Sequence, residues 1–238
     1  MKGLFSGRNW LDDASLPHPH LPEGFILIAE AALREAWSRL CHKCRATGVD
    51  LANAKEDQIT ASLYQLLEEL RVTEPPPVPG FSNDRFGSIV REGNIPDSRN
   101  DSIDLQPDLV FRSAHLRIGV DPRTNGYDGL FVECKPVDSS HPVVGCYCEK
   151  GLVKFVDGRY AWAMREAMMA AYVFNDTFPG IALSKALLPM KAAYGLKSGP
   201  SPCQFAASPN YCETVHDRLR SGETAVPIRI RHVWMPLC

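Results

Sequence analysis

Gln106-Pro107-Asp108-Leu109-Val110-Phe111, followed by Asp128-Gly129-Leu130-Phe131-Val132-Glu133-Cys134-Lys135, is the stretch around which the chain is organised. Both pieces are short and rich in Leu, Val and Phe, the composition of buried strands. Side chains of a strand alternate between its two faces. Glu133 and Lys135 therefore share one face, and Leu130, Val132 and Cys134 share the other. A carboxylate and an ammonium on a strand lined with hydrophobes cost free energy unless they are paired or have a task. If the first segment lies beside the second, Asp108 completes a cluster of two acids and one lysine. Such a cluster suits a hard cation such as Mg²⁺, which is held by one or two carboxylates and by substrate phosphates.

Pro107-Asp108 followed by Glu133-Cys134-Lys135 resembles the PD-(D/E)xK nuclease superfamily, which includes restriction enzymes and recombination or repair exonucleases. The resemblance implies an α/β (α+β) fold with a restriction-endonuclease-like core: a mixed central sheet flanked by helices in the order αβββαβ. An extra N-terminal helix and a C-terminal hairpin would be additions to it. It further implies a Mg²⁺-dependent deoxyribonuclease, with Mn²⁺ able to substitute. Asp108 and Glu133 would ligate the metal, and Lys135 would orient or help deprotonate the attacking water. In that superfamily a helix before the sheet often supplies another acid, and Glu56 matches by order of elements. The motif is short; the pattern around it adds specificity.

Length and composition set the frame. The chain has 238 residues, 45% hydrophobic and 9% aromatic. That suits an irregular arm over residues 1–22 and a single domain over 23–238 with a sizeable core. No apolar run is long enough to span a membrane, and no basic segment with an apolar stretch opens the chain, so a cytoplasmic location is expected. Eight cysteines in a chain of this length are expected to be reduced thiols. Cys41-x-x-Cys44 with Cys146-x-Cys148 or His141 lacks the spacing of a standard zinc finger. Two buried helix cysteines are the simpler reading. His18-Pro19-His20 is read as part of an unimportant leader.

The net charge of −2 excludes a global basic field. Nucleic acid would have to be held by a local cleft, by metal, or by a partner chain. Lys150, Lys154 and Arg159 lie around an expected helix start and form a candidate phosphate cradle. His216 and Arg218, near a strand end, are a second candidate. Their plain alternative is surface charge.

Periodicity predicts helices over Glu23–Ala46, with Gly48 as the stop, and over about Ala54–Arg71, capped by Asn53 with Glu56. Glu56 heads the apolar stripe of Ile59 and Leu63. The prolines from Pro75 to Pro79 form a stiff connector. Strands are expected at Phe86–Arg91 and His115–Val120, with a loop over Gly93–Gln106 and a turn over Asp121–Gly126. Residues 138–150 read as a loop, Gly158–Asn175 as a helix, Ala182–Tyr194 as a shorter helix and Ser198–Asn210 as a loop. Two late strands, Tyr211–His216 and Val226–Trp234, close the chain. His232 shares a face with Ile230 and Trp234, opposite Arg229 and Arg231, as a satisfied core histidine.

Three functions compete. The first is a DNA nuclease of restriction or antiviral defence type, acting as a homodimer or as the cutting subunit of a larger system. The absence of a Gly-x-x-x-x-Gly-Lys-Ser/Thr run gives it no nucleotide motor of its own. The second is an inactive nucleic-acid-binding or assembly subunit on the same fold. The third is a thiol or zinc protein.

Overall fold

In the computed structural model the chain is α+β, with a seven-stranded mixed sheet flanked by helices. The structure describes residues 16–94, 106–174, 179–201, 211–218 and 226–237. In chain order the elements begin with α1 (Glu23–Thr47), α2 (Glu56–Val72), β1 (Val90–Arg91), β2 (Leu109–Phe111) and β3 (Leu130–Val137). A π-helical run over Val143–Leu152 continues into one turn of α-helix, α3 (Val153–Val156). Then come β4 (Glu166–Val173), α4 (Pro179–Leu187), β5 (Leu196–Ser201), β6 (Tyr211–His216) and β7 (Ile228–Pro236).

The spatial strand order is β1-β2-β3-β4-β7-β6-β5. β1, β2 and β3 form an antiparallel meander, and β4 runs parallel to both β3 and β7. A parallel step needs a crossover, and the helical run 143–156 supplies it. Both β3 and β4 are buried at every position, as strands covered by helices on both faces must be.

One face carries α1 and α2. Trp37 of α1 stacks on Tyr172 of β4 at 5.2 Å between ring centroids, and the Thr60 hydroxyl of α2 lies 2.9 Å from the Tyr172 hydroxyl. Arg231 of β7 reaches Glu23 at 2.6 Å and Glu30 at 3.4 Å, tying α1 down by charge as well as by packing. The other face carries the π-helical run. There the Tyr147 hydroxyl donates to His232 Nδ1 at 2.9 Å, and His232 Nε2 donates to Thr214 at 2.8 Å. His232 is fully buried and satisfied, and Arg229 and Arg231 face the opposite layer.

Several expectations need correction. Gly158–Asn175 is not a helix. Its Met-Met-Ala-Ala-Tyr run is the central strand β4, and burial on both faces removes the alternation that would mark it. The crossover helix lies instead at 143–156, where a loop was expected. His115–Val120 is no strand; Arg117 pins this irregular segment by bonding Asp128, with Nε at 2.8 Å from Oδ2, and the carbonyls of Pro19 and His20. Of Phe86–Arg91 only the last two residues are strand, with Phe86 in an isolated bridge to Ser113. Asn53 does not cap α2. It belongs to a short turn capped by Asp50, and Gln58 instead accepts from the Lys55 backbone N–H at 3.3 Å. The expected helix at Ala182–Tyr194 is α4, which starts earlier and stops at Leu187; residues 198–201 of the expected loop belong to β5. Most of the loop over 93–106 lies outside the described residues, as does the link between the two late strands over 219–225.

Residues 16–22 of the arm are irregular yet docked. His18 is fully buried, with its backbone N–H on Ala163 O at 2.7 Å. His20 Nδ1 pairs with the buried Glu166, so these histidines hold the arm to the body.

Candidate active site

The site forms where β2 stops short. Register pairs Leu109 with Val132, and β2 offers no partner to β3 beyond that point. The Cys134 backbone N–H therefore lacks a ladder partner on that side, and the Asp108 carboxylate takes it at 2.6 Å. This early end leaves the carboxyl half of β3 without a strand partner on that side among the described residues. Glu133 and Lys135 stand there on the face that carries the π-helical run. Gly151 of that run packs directly on them. A Cβ built on Gly151 would come 2.6 Å from Met169 Cε, 3.4 Å from Lys135 Cγ and 3.6 Å from Glu133 Cγ.

Oxygen atoms converge on the Lys135 ammonium. Glu133 Oε1 lies at 2.9 Å, the Cys134 carbonyl at 2.9 Å and Asp108 Oδ2 at 3.8 Å. Glu56, the first residue of α2, completes the group with a short contact to the same ammonium. The structure thus gathers all four residues singled out from the sequence: Asp108, Glu133, Lys135 and Glu56. Lys154 of α3 adds a second ammonium at 2.5 Å from Glu133 Oε1.

Electrostatics follow from this crowding. Burial, then the neighbouring Glu133 carboxylate, raises the Asp108 carboxyl from 3.8 to about 7. Burial pulls the Lys135 ammonium down, but the carboxylates of Glu133, Asp108 and Glu56 outweigh it and hold its pKa above the ordinary lysine value. Lys135 therefore stays protonated in this state. In this arrangement it stands as a fixed charge among the carboxylates. Lys154 behaves alike: burial lowers its pKa, and Glu133 more than restores it.

Glu133 is fully buried, yet its two oxygens are treated unequally. Oε1 receives two ammonium groups, while Oε2 has no hydrogen-bond partner among the described residues. A buried carboxylate oxygen left bare carries a desolvation cost of about 1–3 kcal/mol or more. The acids and the carbonyl gathered at Lys135 offer oxygen donors, the kind that Mg²⁺ and Mn²⁺ prefer. Asp108 and Glu133, with the Cys134 carbonyl beside them, therefore fit such an ion. No three His, Cys, Asp or Glu side chains form a ready-made metal group among the described residues.

The other candidates separate. Lys150 is exposed at the end of the π-helical run. Arg159 folds back on Asp157 at 2.7 Å. His216 is fully buried, bonded to the Tyr194 carbonyl and to Thr214, each at 2.7 Å, and burial lowers its pKa to about 4. Arg218 is buried too, donating to the Ala161 carbonyl at 2.8 Å and to the Met164 carbonyl at 2.5 Å. His216 and Arg218 hold the sheet and the turn before β4 together; neither presents its polar atoms to a nucleic acid.

Tyr160 escaped sequence reasoning. Its hydroxyl donates to the Gln106 carbonyl at 2.8 Å, and Lys154 Nζ sits 3.3 Å from the hydroxyl and 4.9 Å from the ring centre. It thereby tethers the Gln106-Pro107-Asp108 segment to α3. No local pattern marks a tyrosine for this, since the contact joins residues 54 positions apart.

Searches against protein-family models, curated proteins and solved structures gave no match to this chain. No helix among the described residues is long and apolar enough to cross a membrane.

Proposed function

We propose that this chain is a metal-dependent nuclease that hydrolyses phosphodiester bonds of DNA, of the restriction or antiviral defence kind, on a restriction-endonuclease-like core. One observation carries this reading. Asp108, Glu133, Lys135 and Glu56 come from three separate parts of the chain and meet around one ammonium, where a fully buried carboxylate keeps one oxygen bare. The order of elements supports it as well, because α2, the β1–β3 meander, the crossover helix and β4 run αβββαβ.

Asp108 and Glu133 would hold Mg²⁺ or Mn²⁺. Bound there, the ion would lower the pKa of a ligated water and offset charge on the phosphate. Lys135, fixed by Glu56 and the Cys134 carbonyl, presents a positive charge to the phosphate from a set position. Glu56 keeps that ammonium in place. With Glu56, Asp108 and Glu133 ionised against Lys135 and Lys154, the side chains sum to −1. A divalent ion turns that sum to +1, which suits an anionic substrate. A net charge of −2 over the chain leaves long-range attraction to DNA weak, so a second copy or a partner subunit would supply it.

The competing reading is a nucleic-acid-binding subunit without turnover, and the lack of a three-side-chain metal group among the described residues favours it. Incubating supercoiled plasmid with the protein separates the two. The nuclease reading expects nicked or linear DNA with Mg²⁺ or Mn²⁺, none with EDTA, and none from Asp108→Ala, Glu133→Ala or Lys135→Ala. Plasmid left intact under all metal conditions overturns it.

A further inference from the structure

Lys154 and Lys135 both bond Glu133 Oε1, but they are held differently. Lys135 has three other oxygens around it: Glu56, the Cys134 carbonyl and Asp108. Its side chain is 10% exposed. Among the described residues Lys154 pairs with the carboxylate of Glu133 alone, and its side chain is 25% exposed. A second resting place lies within reach, since the Tyr160 hydroxyl and ring face are 3.3 Å and 4.9 Å from its ammonium. A cation over an aromatic face is stabilised there without a carboxylate.

We propose that Lys154 is a displaceable counter-ion. It neutralises Glu133 in the metal-free protein and leaves that carboxylate when a divalent ion binds. The released ammonium, backed by the Tyr160 ring, then contacts a substrate phosphate. This inference rests on the metal-dependent reading above and adds a coupling to it. Metal and nucleic acid pull Lys154 in the same direction, off Glu133, so each favours the other. By linkage the two effects are equal in size. Lys135 cannot play this part, because Glu56 retains it whether or not Glu133 is engaged. The unequal loading of the two Glu133 oxygens follows: one ammonium on Oε1 is permanent, and the other occupies the carboxylate only until the ion takes it.

The test is Mn²⁺ binding by calorimetry or electron paramagnetic resonance, with and without a phosphorothioate duplex that resists cleavage. In the wild type the duplex should tighten Mn²⁺ binding about ten-fold. Lys154→Gln, without a charge to compete, should bind Mn²⁺ about ten-fold more tightly than wild type in the absence of DNA and show a smaller effect of the duplex, keeping only the part that comes from phosphate ligation of the ion. Lys154→Arg, which keeps the charge, should restore the weaker binding. A Lys154→Gln protein that binds Mn²⁺ as the wild type does, or less tightly, overturns the proposal. So does a duplex effect undiminished by the substitution. Plasmid cleavage by the wild type reports separately on the nuclease reading. A protein that cuts DNA but shows no change on Lys154→Gln loses this inference alone. Failure of wild type and Lys154→Gln alike to bind Mn²⁺ removes both.

Discussion

Replacing Asp108 by Asn should make the metal-free protein more stable, not less. The Asp108 carboxyl is raised from 3.8 to about 7, chiefly by burial and then by Glu133. Over that window the folded chain holds a proton that the unfolded chain has released, so wild-type stability falls as pH rises through it. The shift is about three units at about 1.4 kcal/mol each, or about 4 kcal/mol at pH 8. Asn keeps an acceptor for the Cys134 N–H and has no charge to ionise. Relaxation around the new side chain trims the gain, so we expect Asp108→Asn to exceed wild type by about 2–4 kcal/mol at pH 8. At pH 4.5 the two should nearly coincide. Urea denaturation in EDTA at the two pH values measures this directly. Millimolar Mg²⁺ should then stabilise the wild type and leave Asp108→Asn unmoved. A variant less stable than wild type at pH 8, or a gain equal at both pH values, would refute the argument that burial, with Glu133 beside it, strains the ionised Asp108.

Three further outcomes follow from the same geometry. Lys135→Arg should lower plasmid cleavage by about a hundred-fold or more, because a planar guanidinium cannot fill the compact space between four oxygens; steady-state nicking rates check it. Gly151→Ala should be tolerated, since only the flexible end of Met169 must move, whereas Gly151→Val should cost about 1–3 kcal/mol by urea denaturation as its branches reach Lys135 and Glu133. The double variant Lys150→Ala, Lys154→Ala should weaken DNA binding and reduce the log–log salt slope by about two, measured by fluorescence anisotropy from low to moderate salt.

The core of the site was legible because strand geometry is rigid. Glu133 and Lys135 at i and i+2 on an apolar strand had to share a face, and Pro107-Asp108 before a second apolar run placed a third group near them. Both long helices were legible from their stripes, and Gly48 ends α1 in the left-handed conformation expected of a stop (φ 71°). β4 was not. Its neighbours on both sides are parallel strands and helices cover both faces, so every side chain is buried and the Met-Ala-Tyr run carries no period of two. The crossover helix hid for the opposite reason. Pro142, Gly145 and Gly151 have poor helix propensity, and the run is π-helical, with Gly151 needed where it touches the site. His216 and Arg218 looked like surface charge because a short strand end gives no sign of what will cover it. His18 and His20 were discounted for want of any local pattern. Their partners, Ala163, Thr124 and Glu166, lie more than a hundred residues away.

The central claim is that Asp108 and Glu133 share a divalent ion beside Lys135. A crystal soaked in Mn²⁺ and measured at the manganese absorption edge tests it most directly. The account predicts an anomalous peak within about 2.2 Å of both carboxylates, on the bare Oε2 side of Glu133, with Lys154 swung off toward Tyr160. A map with no peak there, or with manganese bound only elsewhere and Lys154 still on Glu133, would contradict it.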